Sequence, residues 1–360
     1  MTTAFLFVAG LVLLVVGAEL LVRGAGRLAL AWGISPLVVG LTVVAYGTSS
    51  PEVAVSVGAA MGGQVDLAAA NVVGSNIFNV LFILGVAGLI TPLAVAQQLI
   101  RQEVPIMIGV SLLLLLFCAD GVLSRVESAA LLVGLAVYTV FVIRQSRAET
   151  SAAVKSEYEQ GVGEQRPGRG GALAPNVLLV VAGLALLVLG ARWLVEAAMT
   201  IARSLGVSDV VIGLTIVAAG TSLPEVASSV LAALRGQRDI AVGNVIGSNI
   251  FNILGCLGLA GVLAATPLTV APSLQNFDLP VMLAVAVACL PVFFTGANVA
   301  RWEAGVFLAY YVAYTAYLIL AAGDHDALPA FSRAMMGFVA PITVVTLVVV
   351  VVRAMNDRRG

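Results

Sequence analysis

Two acidic side chains inside long apolar segments have the clearest potential for chemistry. Glu52 and Glu225 each end a short motif, GTSSPE from Gly47 and GTSLPE from Gly220. A carboxylate at membrane depth costs at least ~2.5 kcal/mol on insertion scales, so it needs a compensating partner. Bound cations would offset that cost, and two carboxylates suit one divalent ion, two monovalent ions or protons. We therefore predict a cation site at these two residues.

The proline in each motif predicts a break in its helix. Pro51 and Pro224 lack the N–H that would bond the carbonyl four residues earlier, at Gly47 and Gly220, and the proline ring clashes there. Freed carbonyls and neighbouring hydroxyls are hard oxygen donors, which Ca²⁺ and Na⁺ prefer as ligands. The hydroxyl donors of the two motifs are Thr48, Ser49, Thr221 and Ser222.

A second motif, GSNIFN, also occurs twice and places a hydroxyl and an amide on one helical face, because the two are four residues apart. Four side chains share this arrangement: Ser75, Asn79, Ser248 and Asn252. They could coordinate ions or could bond across helices as polar contacts. We expect ligand roles for these four. Asn76 and Asn249 point away from that face, and we expect structural roles for them.

The composition indicates an all-α integral membrane protein. Of 360 residues, 61% are hydrophobic and 10% are charged, whereas a soluble domain has about a quarter charged residues. The apolar runs form eleven spans of bilayer length. We expect the first, approximately Phe5–Val22, to be a retained span rather than a signal peptide, because no basic residues precede it. A net charge of −1 gives no reason to expect nucleic acid as a partner.

The distribution of basic residues predicts the orientation. With the N-terminus outside, most of the 18 lysines and arginines fall on the cytoplasmic side, and only Arg125, Arg203 and Arg333 clearly face out. An odd number of spans then places the C-terminus in the cytoplasm. We expect a multi-pass protein of the cell (inner) membrane that contacts the lipid bilayer and functions as a monomer. The polar stretch 144–175 is predicted to be a flexible cytoplasmic linker.

An internal repeat determines the predicted architecture. The segment from Gly40 reappears from Gly213, and the segment from Asn71 reappears from Asn244, both offset by 173 positions. Equivalent spans lie five apart, so they cross the membrane in opposite directions, as alternating-access transporters require. The prediction is two inverted five-helix repeats with broken helices at the ion site, plus an extra C-terminal helix. The domains are 1–143, 144–175, 176–321 and 330–352.

These motifs and this plan resemble the two alpha-repeats of the cation/Ca²⁺ exchanger superfamily, and specifically its prokaryotic Na⁺/Ca²⁺ exchanger branch. The resemblance implies that Na⁺ entering down its gradient drives Ca²⁺ out, with no cofactor and with the first and sixth spans sliding as gates. It implies that Glu52 and Glu225 bridge the Ca²⁺ site, with backbone carbonyls from Thr48 and Thr221. The flanking Na⁺ sites would be completed by side chains of Ser49, Ser75, Ser222 and Ser248 and by carbonyls of Ala45 and Ala218.

One position departs from that family. Many members carry an acidic residue where this chain has Asn252, so its pocket holds two carboxylates rather than three. A Ca²⁺/H⁺ antiporter is therefore the main alternative, because a buried glutamate pair binds protons as readily as ions. A passive channel would not need inverted halves. An intramembrane enzyme would need a nucleophile and base or a metal cluster, and the single histidine, His325, lies in a predicted loop. We therefore expect no enzymatic activity.

Overall fold

The computed structural model describes residues 2–148, 173–206, 212, 215–216, 218–323 and 325–357. In these residues nine helices are long and apolar enough to cross a membrane, and a bent pair forms a tenth span. The helices are α1 Thr2–Trp32, α2 Pro36–Thr48, α3 Ser50–Met61, α4 Val65–Ile90, α5 Leu99–Phe117, α6 Arg125–Ala148, α7 Leu173–Ser204, α8 Leu223–Leu234, α9 Arg238–Leu263, α10 Leu274–Phe294, α11 Arg301–Ala322 and α12 Leu328–Val352. The predicted all-α membrane fold is confirmed.

The predicted spans agree with this order, with two corrections at their ends. The first helix continues ten residues beyond the predicted Val22, because Glu19 pairs with Arg23 one turn along the helix and the charges do not end it. The first helix of the second repeat, expected to begin at residue 176, runs from Leu173 to Ser204. The seventh predicted span carries Glu225, and α8 is its continuous helix. Most of residues 207–217, which precede it, lie outside the described residues. Residues 149–172 of the predicted linker also lie outside them.

Two short strand pairs mark the inverted symmetry. Strand β1 (Leu93–Ala94) pairs antiparallel with β4 (Asn298–Val299), and β2 (Val122–Leu123) pairs antiparallel with β3 (Leu268–Thr269). The repeat offset relates the β1 region to β3 and the β2 region to β4. One pair therefore lies at each membrane face. We call the face of β1 and β4, where α6 ends and α7 begins, the linker face, and the other the distal face.

Glycines allow the first helix of each repeat to cross the other closely. A Cβ on Gly17 of α1 would lie 2.8 Å from the Gly183 carbonyl oxygen of α7, and a Cβ on Gly10 would lie 2.9 Å from the Gly190 carbonyl oxygen. No side chain fits at those distances, so the two backbones touch directly. The offset relates Gly10 to Gly183 and Gly17 to Gly190, so the two contacts are inverted copies of one another.

The predicted helix breaks are present beside both glutamates. The α2–α3 span bends by 45° at Ser49, whose φ of −79° and ψ of 9° interrupt the helix. Ser222 adopts nearly the same conformation, with φ −87° and ψ 9°, immediately before α8. Each proline then occupies the first turn of the new helix. Backbone N–H groups in a first turn have no partner within the helix, so the missing N–H of proline costs no hydrogen bond there. The breaks place the motif hydroxyls between two helix ends in the middle of the protein.

The helices that carry the second motif, α4 and α9, are the most buried of the nine continuous spans, whereas no residue of α12 is buried. In α4 and α9 the hydrogen-bond ladder widens to π-helical turns at Asn79–Ile83 and Asn252–Leu257, each beginning at the last residue of the motif. Such turns are frequent at functional sites. Helix α12 packs at the edge, where the Tyr310 hydroxyl donates to Thr343 Oγ1 at 2.7 Å. The site therefore lies among the spans that contact the least lipid.

Candidate cation site

The two glutamates face each other across the interface between the repeats. Each lies in the first turn of its helix, α3 or α8, and each is fully buried. Ser49 Oγ donates to Glu225 Oε1 at 2.8 Å, and Ser222 Oγ donates to Glu52 Oε1 at 2.8 Å. Each serine thus binds the carboxylate of the opposite repeat. The positive ends of the two helix dipoles also favour negative charge at this position.

Among the residues that the structure describes, several buried oxygens of the two motifs have no partner at hydrogen-bond geometry. They are Glu52 Oε2, Glu225 Oε2, Ser75 Oγ, Ser248 Oγ, Thr221 Oγ1 and Asn79 Oδ1. A buried polar atom without a partner costs about 1–3 kcal/mol, and native proteins pair the large majority of such atoms. A set of carboxylate, hydroxyl and amide oxygens matches the ligands of hard cations. The site is therefore chemically suited to bind Ca²⁺ or Na⁺.

Four buried asparagines hold the amides of the second motif in place. Asn79 Nδ2 donates to Asn249 Oδ1 at 3.1 Å, and Asn252 Nδ2 donates to Asn76 Oδ1 at 3.1 Å. Asn76 Nδ2 in turn donates to the Asn249 carbonyl at 3.1 Å. These bonds use the amide nitrogens. Within the described part of the chain, Asn79 Oδ1 is left without a donor, and Asn252 Oδ1 accepts a weak bond from Cys256 Sγ at 3.5 Å. Asn76 and Asn249, for which the sequence predicts structural roles, are the acceptors of these bonds from Asn252 and Asn79.

The remaining predicted ligands lie at the helix breaks. Thr48 Oγ1 donates to Asn244 Oδ1 at 3.2 Å and also lies 3.4 Å from the Ala45 carbonyl oxygen. That carbonyl also accepts the Ser49 N–H at 3.0 Å, so part of its capacity is already used within the helix. Ala218 begins the short helical turn Ala218–Gly220 that precedes the second break. Hydrogen bonds between the repeats therefore bring together Ser49 with Glu225, Ser222 with Glu52, and Thr48 with Asn244.

Two asparagines at the start of the second motif segment were assigned no role from the sequence. Asn244 Nδ2 donates to Ser228 Oγ at 3.0 Å and to Ser229 Oγ at 2.8 Å. Asn71 Nδ2 donates to Ser56 Oγ at 3.0 Å. Both asparagines are identical residues at equivalent repeat positions inside apolar helices, and that signal in the sequence could have identified them.

Comparison with known proteins identifies the family. The model of the family described as sodium/calcium exchanger protein matches residues 2–144 and 175–320. The chain belongs to the sodium/calcium exchanger family. This finding confirms the resemblance seen in the motifs, and it makes the chain a membrane transport protein of the exchanger type rather than a member of an enzyme family. Helix α12 lies outside the matched residues.

Individual relatives cover most of the chain. The sodium/calcium exchanger MaX1 of Methanosarcina acetivorans is 35% identical over 86% of this chain and 96% of its own length. The inner membrane protein YrbG of Escherichia coli is 38% identical over 78% of this chain and 86% of its own. A solved structure of the sodium-calcium exchanger NCX_Mj superposes with a TM-score of 0.74 at 29% identity, covering 88% of this chain and 98% of that one.

Proposed function

We propose that this exchanger couples Na⁺ to Ca²⁺ as an antiporter with alternating access, the two ions competing for one site. The observation that carries this proposal is the cluster of unpartnered oxygens around two buried carboxylates, Glu52 and Glu225, contributed by both repeats. Two negative charges are neutralised equally by one Ca²⁺ or by two Na⁺. Occupancy by one ion therefore excludes the other electrostatically, which is the basis of exchange.

The roles of individual residues follow the chemistry of their oxygens. Glu52 and Glu225 bridge the bound Ca²⁺ through the carboxylate oxygens that no serine occupies. The carbonyls of Thr48 and Thr221 complete that site. The Na⁺ positions on either side use Ser49, Ser75, Ser222 and Ser248 with the carbonyls of Ala45 and Ala218. Asn79 and Asn252 supply amide oxygens without charge, so they add ligands but no further competition for protons.

We further propose that a single chain is the working unit, because all of these ligands come from one polypeptide. The excess of basic residues on one side supports a linker face in the cytoplasm, with the N-terminus outside and the C-terminus inside. The name of the relative YrbG, an inner membrane protein, supports the same membrane for this chain.

Coupling to H⁺ is the competing possibility, and one observation favours it. With asparagine at positions 79 and 252, Glu52 and Glu225 are the two carboxylates of the site. A proton on the free oxygen of each glutamate would neutralise its charge as a bound cation does. The proposal of Na⁺ coupling therefore depends on a flux measurement with both gradients controlled.

The experiment is ⁴⁵Ca²⁺ uptake into proteoliposomes loaded with Na⁺ and diluted into Na⁺-free buffer at equal pH. We expect uptake that requires the Na⁺ gradient and is absent from K⁺-loaded vesicles. Uptake driven only by an imposed pH gradient would refute Na⁺ coupling and establish Ca²⁺/H⁺ antiport. Asp66→Asn is a matched control for loss of an acid, since Asp66 lies at the distal face bonded to Thr269, away from the site.

A further inference from the structure

The inverted repeats differ in a polar contact between the two halves of the protein. In both repeats the asparagine that opens the second motif segment binds a serine of its own repeat: Asn71 Nδ2 to Ser56 Oγ at 3.0 Å and Asn244 Nδ2 to the equivalent Ser229 Oγ at 2.8 Å. Only Asn244 also binds the opposite repeat, accepting from Thr48 Oγ1 at 3.2 Å. The inverted counterpart of that bond would join Thr221 to Asn71, but among the described residues Thr221 Oγ1 makes no hydrogen bond to Asn71 and lies instead beside the Glu52 carboxylate.

The two pairs lie in opposite halves of the membrane. Asn244 lies six residues into α9, which begins at the linker face with Arg238. Asn71 lies six residues into α4, which begins at the distal face with Val65. At ~1.5 Å per residue each asparagine is about 9 Å from its own end of the helix. One pair therefore lies between the cation site and the linker face, and the other lies between the site and the distal face.

Burial follows the same asymmetry. Thr48 and Asn244 are fully buried, whereas Thr221 and Asn71 are partly exposed. An ion pair also joins the two repeats on the linker side, where Arg235 Nη2, at the end of α8, donates to Glu19 Oε1 of α1 at 2.9 Å. The residue equivalent to Arg235 in the first repeat is Gly62, so the distal face has no copy of this ion pair. Among these described residues, the threonine and asparagine on the linker side of the site are more buried than their counterparts on the distal side.

We propose that Asn244 and Asn71 are positioning residues that act as alternating latches on the two broken helices. The Thr48–Asn244 bond closes the site toward the linker face, and a Thr221–Asn71 bond, formed when the first is released, closes it toward the distal face. This inference rests on the proposed alternating-access transport. Each latch holds the threonine whose carbonyl would bind the cation, so closing one side also orients a ligand. Two equivalent bonds that form in turn keep the two states close in free energy, as a reversible exchanger needs.

Thr48→Val and Thr221→Val test the latches as an inverted pair. Valine keeps the shape, the β-branch and the backbone carbonyl of threonine but removes the hydroxyl that donates the bond. Thr48→Val destabilises the state described here, and Thr221→Val destabilises the opposite state. A single buried hydrogen bond corresponds to a change of about fivefold in an equilibrium constant. Thr48→Ser and Thr221→Ser restore a donor and are the matched controls.

The readout is the half-saturating Ca²⁺ concentration at each face, measured by ⁴⁵Ca²⁺–Ca²⁺ exchange in right-side-out and inside-out vesicles. The ratio of the two values reports the equilibrium between the two states, because each apparent affinity scales with the population that is open to that face. We expect the two valine variants to move this ratio about fivefold in opposite directions, with both serine variants near wild type. An unchanged ratio, or a shift in the same direction for both, would overturn the latches.

The same assay separates this inference from the proposed function. Ca²⁺–Ca²⁺ exchange requires neither a Na⁺ nor a H⁺ gradient, so the latches can be confirmed even where Na⁺ coupling fails. If wild-type vesicles show Na⁺-driven uptake but the valine variants leave the ratio unchanged, only the latches are refuted.

Discussion

Removal of one buried carboxylate is the most direct perturbation of the cation site. In Glu225→Gln the amide oxygen can still accept the Ser49 hydroxyl, now 2.8 Å from Glu225 Oε1, so the fold should remain intact. The variant loses the unpartnered Oε2 as a charged ligand. A bound Ca²⁺ is then left with one uncompensated positive charge in a fully buried site. The equivalent change in the first repeat is Glu52→Gln.

The magnitude follows from the cost of breaking a buried ion pair, about 3–5 kcal/mol. This range corresponds to a loss of Ca²⁺ affinity of at least about 100-fold. With Ca²⁺ at 100 times its dissociation constant, wild-type protein gains about 2.7 kcal/mol of stability from binding. A variant that binds 100-fold more weakly gains only about 0.4 kcal/mol at the same concentration. Ca²⁺ should therefore raise the Tm of the wild-type protein clearly and that of the variant very little.

The assay combines the Ca²⁺-dependent Tm of purified protein with ⁴⁵Ca²⁺ uptake in proteoliposomes. Both glutamine variants should remain folded without Ca²⁺, respond weakly to it and show no coupled uptake. Asp66→Asn should behave as wild type in both measurements. Coupled flux in either glutamine variant, or a Ca²⁺ affinity within tenfold of wild type, would refute the placement of the site at this pair.

Two further predictions test other parts of the structure. Asn252→Asp replaces the amide that donates to Asn76 Oδ1 at 3.1 Å and adds a third carboxylate to the site. We expect the Na⁺ or Ca²⁺ concentration that gives half-maximal uptake to change about tenfold. Unchanged values for both ions would contradict a role for this position. Gly17→Ala places a Cβ 2.8 Å from the Gly183 carbonyl, and such overpacking should cost about 1–3 kcal/mol, seen as a lower Tm and slower uptake. Gly58→Ala, where a Cβ meets nothing within 4 Å, is the matched control, and an equal effect there would refute the packing argument.

The sequence by itself determined the membrane class, indicated the inverted repeat and supplied the candidate residues of the site. Those features depend on local or periodic properties: apolar runs of bilayer length, a constant offset between two copies, and a proline that breaks a helix wherever it stands in its interior. Glu52 and Glu225 could be identified because a charge inside an apolar span has few explanations other than a buried partner. The bend at Ser49 followed in the same way from Pro51.

Only the tertiary structure decided how these residues are paired. That Ser49 binds Glu225 rather than the glutamate of its own motif depends on how two helices far apart in sequence pack across the repeat interface. The interlocked asparagines arise from the same packing. The difference between the Thr48–Asn244 bond and the Thr221–Asn71 bond, which the described residues do not form, could not be predicted from these four residues, because the two repeats carry identical residues at these positions. A duplicated sequence is symmetric there, and only one conformation of the folded chain distinguishes the two faces.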